Sequence, residues 1–161
     1  FRTGKLNSNA SNPSGKYPFF TCSRDDFWID EYAFDCEALL LAGNNANADY
    51  SVKYYKGKFN AYQRTYVINL RDEESSYEFA KAALEYQLGE LKRVSNGSNT
   101  KYLTLEILNQ IRIPMPSVSS QKEFSRRIES IEQLKTTHRE SLAKLDALFA
   151  SLQHRAFRGE L

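Results

Sequence analysis

Very little in this sequence can do covalent chemistry. Two cysteines, Cys22 and Cys36, are too few for the disulfide framework of a small secreted domain, so the reducing cytoplasm is the expected compartment. The only histidines, His138 and His154, have no cysteine or carboxylate at ligand spacing, so no metal site is expected. Gly4, Gly15, Gly43 and Gly57 never cluster, which leaves no phosphate-binding loop and no dinucleotide fingerprint. Asn12-Pro13-Ser14 lacks the second proline and the aromatic of an adenine-methyltransferase motif, and Asp25-Asp26 and Asp30-Glu31 read as solvated turns. No catalytic residue and no cofactor is therefore assigned. No apolar run nears the roughly 20 residues of a bilayer span, and no signal peptide is visible, so no membrane role is expected. A first residue of Phe rather than Met points to a fragment or a chain whose start is missing.

What is present is one domain's worth of chain with two textures. Aromatic residues make up 13% of it, enough to build a core although only 41% is hydrophobic. KYPFFTCS (16–23), FWIDEYAFD (27–35), EALLLAG (37–43), YSVKYYKGKF (50–59) and QRTYVINL (63–70) read as strands, bounded by turn residues. Residues 74–91 switch to the helical period, SNGSNT (95–100) reads as a loop, and LTLEILNQ (103–110) as a short helix capped by Thr104. IRIPMP (111–116) must be extended, because Pro114 and Pro116 exclude helix.

From Ser117 onward the pattern is helical. Ser120 and Glu123 form a capping box that starts the helix at Gln121. Phe124, Ile128, Ile131, Leu142, Leu145, Phe149 and Leu152 keep heptad register, with Lys135 and His138 in the same seam. Such a rod, ~55 Å long at ~1.5 Å per residue, outreaches a ~30 Å domain. A 3.5-residue seam calls for a second helix. The fold class expected is α+β: a mixed-sheet domain (1–116) followed by a long coiled-coil helix (117–161).

Net charge is only +2, so any basic surface must be local. Between Asp49 and Asp72 there is no acidic residue. That stretch carries Lys53, Lys56, Lys58 and Arg64, interleaved with tyrosines, and follows the amide-rich GNNANADY. A second acid-free stretch, 91–105, carries Asn96, Asn99 and Lys101. Lys53, Lys56, Lys58, Arg64 and Lys101 are the candidates for holding phosphates. Asn44, Asn45, Asn47, Tyr62, Gln63, Asn96 and Asn99 are the candidates for touching base edges. Tyr54, Phe59 and Tyr66 read instead as strand core, and Cys22 and Cys36 as buried strand cysteines.

Ile113-Pro114-Met115-Pro116, the glutamine-led helix at Gln121, Ser151-Leu152 and Ala156-Phe157-Arg158-Gly159-Glu160-Leu161 together resemble the end of a half-unit of type I restriction–modification specificity (S) subunits. The central YYKGKF, GSNTKYL (97–103) and TGKLNSN (3–9) fit as well, the last adding Lys5 and Asn7 to the DNA-binding candidates. The resemblance implies a target-recognition domain that reads double-stranded DNA and leaves methylation and cleavage to methyltransferase (M) and restriction (R) subunits. It also implies an antiparallel pairing of two helices, which a half-unit would meet as a homodimer. Placing Lys135 opposite His138 then sets Ile131 on Leu142, Ile128 on Leu145, Phe124 on Phe149 and Gln121 on Leu152. Two other readings stay open: the specificity domain of a fused type II restriction–methylation enzyme, and a coiled-coil protein with no DNA role.

Overall fold

The computed structural model describes residues 1–160 and divides into two compact units, Phe1–Gln121 and Lys122–Leu161. The first unit is built on a six-stranded mixed sheet. Its strands are β1 (Arg2–Thr3), β2 (Tyr17–Phe20), β3 (Phe27–Ile29), β4 (Phe34–Ala42), β6 (Val52–Ala61) and β7 (Thr65–Ile68), in the order β1-β7-β4-β6-β2-β3. Only β2 and β6 run parallel. A second, two-stranded sheet joins β5 (Asn44–Asn45) to β8 (Lys101–Tyr102). Helices α1 (Tyr77–Tyr86), α2 (Leu88–Val94) and α3 (Leu105–Gln110) follow β7, with β8 between α2 and α3.

The central strand β4 is buried on both faces, which explains its continuous apolar run. Leu39 and Leu41 point into a core shared with Leu84, Leu91, Leu103 and Leu108. Ala38 and Leu40 face the other way, onto Phe59, Ala61 and Val67. The register requires a strongly curled sheet. Phe59 pairs with Phe34 at one end of β4, yet Thr65 pairs with Ala42 at the other end. Those two ends lie ~26 Å apart at ~3.3 Å per residue. Residues 59 to 65 span at most ~20 Å. The chain must therefore cut across the face of β4, which is how Phe59 and Ala61 come to cover Leu40 and Val67.

Several expected boundaries shift. FWIDEYAFD and EALLLAG are not two strands: the first breaks at Asp30–Ala33, and its end, Phe34-Asp35, continues unbroken into β4. The helix expected over 74–91 is interrupted at Gln87, whose N–H turns back to Leu84 O at 3.0 Å, two residues before the weak helix former Gly89. Thr104 does cap α3, accepting from Ile107 N at 3.3 Å. Cys36 lies on β4 but Cys22 lies beyond β2, and both are half-buried rather than core.

The long helix α4 (Val118–Phe157) begins earlier than its capping box predicts. Ser117 is the cap: Ser120 N reaches Ser117 Oγ at 3.4 Å and Gln121 N reaches Ser117 O at 3.0 Å. Ser117 offers the same hydroxyl as Ser120 and comes first after Pro116, so the helix nucleates there. Gln121 is 2% exposed. Its Oε1 accepts from Ser76 N at 2.9 Å and its Nε2 donates to Pro116 O at 2.8 Å. That commitment removes Gln121 from any seam, so the expected match of Gln121 with Leu152 cannot form.

In the second unit, Ile131, Leu142, Leu145, Phe149 and Leu152 are all exposed, Phe149 by 63%. Leu134 and Leu148 are exposed too and widen the apolar stripe beyond the heptad positions. Lys135 forms an ion pair with Glu132 one turn back, at 2.7 Å. Phe124 is half-buried.

Candidate nucleic-acid interface

Most of the polar residues singled out in the sequence meet on one rim of the first unit, and backbone hydrogen bonds bring them there. Gly43 is the joint. Its N–H donates to Arg64 O at 2.8 Å and its carbonyl accepts from Leu103 N at 2.8 Å. A Cβ at position 43 would run into the Arg64 carbonyl, so only glycine permits this approach. Next to it, Asn44 pairs with Tyr102 and Asn45 with Lys101, while Asn96 bridges Tyr102 in both directions at 2.9 and 3.0 Å. The end of the first acid-free segment, at Arg64, and residues 96–103 of the second thus meet on one surface.

The turn between β6 and β7 belongs to the same rim. Thr65 N closes it on Tyr62 O at 2.9 Å, with Gln63 and Arg64 as its central residues. Tyr62 N donates to Phe20 O at 2.8 Å, Gln63 N to Leu6 O at 2.9 Å, and Cys22 Sγ to Arg64 O at 3.4 Å. The N-terminal segment is held alongside by a bridge between Leu6 and Tyr62, and Gln63 Nε2 donates to Asn7 Oδ1 at 2.7 Å. Lys5, Asn7, Gln63, Arg64, Asn47 and Asn99 are exposed; Asn44, Asn45 and Lys101 are half-buried.

Asn45 has a structural duty as well. Its side-chain oxygen accepts from Asn47 N at 2.9 Å and Asp49 N at 3.3 Å. This turn holds buried Ala48 at φ 52°, a left-handed conformation that costs a residue with a Cβ about 1–2 kcal/mol. Asp49, on the same rim, is paired with Arg24, whose Nη2 contacts both oxygens at 2.8 and 3.0 Å. Lys5, Arg64 and Lys101 place positive charge on this rim that the chain total does not reveal.

Arg24 and Tyr102 were not among the sequence candidates. Arg24 was masked by its neighbours Asp25 and Asp26. Tyr102 reaches the rim only through a two-residue strand that has no period to read.

The lysines of β6 are distributed differently. Lys53 Nζ donates to the carbonyls of Arg24 and Asp25 at 3.0 and 3.1 Å and pairs with Asp26 at 3.4 Å. Lys56 pairs with Glu37 at 3.1 Å, and Lys58 lies 4.7 Å from the centre of the Tyr32 ring. Phe59 and Tyr66 are core as expected, but Tyr54 stays 38% exposed. Its hydroxyl donates to Glu37 Oε1 at 2.7 Å. Burial, reinforced by the Glu37 carboxylate, pushes the Tyr54 phenol up to about 12. The Tyr54 hydrogen bond, aided by Lys56 and opposed by burial, holds the Glu37 carboxyl below its ordinary value. No helix among the described residues is long and apolar enough to cross a membrane.

A locally basic rim, rich in amides and mounted on main-chain struts, is the makeup of a surface that grips a polyanion and inspects it. Residues 1–147 match the type I restriction modification DNA specificity domain, and the chain belongs to that family. The match does not favour the fused type II arrangement. The type I restriction enzyme EcoDI specificity subunit of Escherichia coli is 38% identical over 129 residues, covering 80% of this chain and 28% of that protein. The chain thus spans little more than a quarter of that relative's length. The crystal structure of the type I restriction–modification S subunit from M. genitalium aligns with a TM-score of 0.61 at 19% identity. That alignment covers 86% of this chain and 40% of the other, and the likeness is one of fold.

Proposed function

We propose that this chain is a recognition half-unit of a type I S subunit, non-catalytic and cytoplasmic. It reads one half of a double-stranded DNA target and directs M and R subunits to it. The functional boundary lies at the start of α4, with residues 1–116 as the recognition domain and 117–161 as the spacer and dimerisation helix. The observation that carries the DNA reading is the knot at Gly43, which brings Arg64 of one acid-free segment and Leu103 of the other onto one basic rim. Phosphate oxygens suit Lys5, Arg64 and Lys101, with Lys53, Lys56 and Lys58 as flanking contacts. Base edges suit the amides of residues 44, 47, 63, 96 and 99, with Asn7 hydrogen-bonded beside Gln63. The exposed stripe of α4 supports a homodimer in which Lys135 faces His138, Ile131 meets Leu142, Ile128 meets Leu145 and Phe124 meets Phe149. Titration against random duplexes, with and without a cognate M subunit, tests the reading. Selective binding to an interrupted palindrome is expected. Equal affinity for all duplexes in both conditions would overturn it.

A further inference from the structure

The turn between β6 and β7 is anchored at several points on the rim. Turn tips are usually the freest part of a domain. Here the flanking and central backbone groups of residues 62–65 are tied to Phe20, Leu6, Gly43 and Cys22. The N-terminal segment that carries Asn7 is equally constrained: a Cβ at Gly4 would run into the Ala61 carbonyl. The outcome is that an exposed amide, Gln63, is held by a second exposed amide, Asn7, through a 2.7 Å hydrogen bond between residues 56 apart in sequence.

A primary amide has two N–H donors and two carbonyl lone pairs. The bond to Asn7 uses one N–H of Gln63 and leaves one N–H with the whole carbonyl. One donor beside one acceptor is the set that matches N7 and N6–H of adenine in the major groove, and no other base edge there offers that pair to an amide. Immobilising the side chain beforehand removes the rotamer entropy that a free glutamine would lose on binding. We infer that Gln63 reads an adenine in the major groove of the target and that Asn7 is its positioning residue. The inference rests on the DNA-recognition reading above and names the base that one residue selects.

The test uses the full chain and a randomised duplex pool, followed by affinity measurements on the selected site. The wild type should prefer adenine at one position by about 5- to 150-fold, the range of a good bidentate contact. Replacing that adenine with 7-deazaadenine should abolish most of the preference, because the N7 acceptor is gone. Gln63→Ala should lose discrimination at that position alone and become indifferent to the 7-deaza change. Gln63→Glu, which keeps only acceptors, should move the preference from adenine to cytosine. Asn7→Ala should weaken discrimination at the same base and no other, and add nothing in the Gln63→Ala background. A role for Asn7 in folding alone would lower affinity for every sequence equally. If the wild type selects a site but Gln63→Ala keeps every base preference, or Gln63 proves to select guanine or thymine, this inference fails and the wider reading stands. If the wild type selects no site, the wider reading fails first.

Discussion

The two compact units differ in where they find their stabilisation. Residues 1–121 bury apolar side chains on both faces of β4, and their loops are closed by hydrogen bonds to distant parts of the same unit. In residues 122–160 the only half-buried positions are 123–125, and a row of leucines and a phenylalanine faces outward. An isolated helix can satisfy its own backbone but not its apolar stripe. The lesson is that one unit covers its apolar side chains within itself, whereas the other leaves its stripe uncovered.

The strongest way to break this contrast is a matched pair of truncations. Leu41→Ala, in the core of the first unit, should cost about 2–5 kcal/mol in urea unfolding. Leu145→Ala, on the exposed stripe, should leave that transition in place and lower only the sedimenting mass. Equal destabilisation by both would erase the distinction.

Pairing of the second unit is probed next. With Cys22 and Cys36 replaced by serine, Ile131→Cys combined with Leu142→Cys should yield chains covalently joined between positions 131 and 142. Exchanging Lys135 and His138 for leucine should raise the melting temperature while blurring that register. A monomer at micromolar concentration, or 131-to-131 joining, would refute the antiparallel model.

Gln121→Ala comes third. It strips the partner from Ser76 N and Pro116 O, and should cost about 1–3 kcal/mol even though the residue lies on a helix that reads as polar in sequence.

A smaller effect separates the cations. Arg64→Ala and Lys101→Ala should each reduce the salt dependence of DNA binding by about 0.9 in slope, uniformly across sequences. Lys56→Ala with Lys58→Ala tests the β6 flank: an unchanged slope would restrict phosphate contact to the rim.

The least effect is on pH dependence. Tyr54 ionises in the folded chain only near 12, above its ordinary value of 10. Its contribution to stability is therefore full below pH 10 and is lost as the pH rises from 10 to about 12. Glu37 behaves in the opposite sense: its carboxyl is lowered, so its contribution is present above about pH 4.5 and fades as acid protonates it. Phenolate absorbance, taken as the difference from Tyr54→Phe, should show the Tyr54 titration shift down in Glu37→Gln. It should not return fully to 10, because burial is the larger cause.

What could be read in advance followed from periodicity and local chemistry. The alternating or continuous apolar runs of β4, β6 and β7, the Thr104 cap, the prolines before α4 and the heptad leucines all carry their information within a few residues. The misread boundaries lie where neighbouring signals compete, as with Ser117 and Ser120, which offer identical caps three residues apart. The rim itself was legible only as composition. Asn44-Asn45 and Lys101-Tyr102 form strands of two residues, too short for any period, and exist because Gly43 meets Leu103 and Arg64. The contact between Asn7 and Gln63 depends on the curl of β6, which no local pattern encodes. Likewise Gln121 gave no sign of being buried, since its partners are a cap 45 residues earlier and a proline carbonyl.

The joint at Gly43 has a consequence for how such a surface changes over time. Every strut that meets there, from Arg64, Leu103, Asn44 and Tyr102, is made by main-chain atoms. Side chains at 44, 64, 101 and 102 can be exchanged without removing one of them, so the frame is indifferent to the letters mounted on it. On the DNA-recognition reading proposed above, vocabulary and grammar are thereby separated: single replacements at the mounted positions would change the target, while a change at Gly43 itself would scramble all of them at once. A laboratory wishing to reprogram the target should randomise the former and leave the latter untouched.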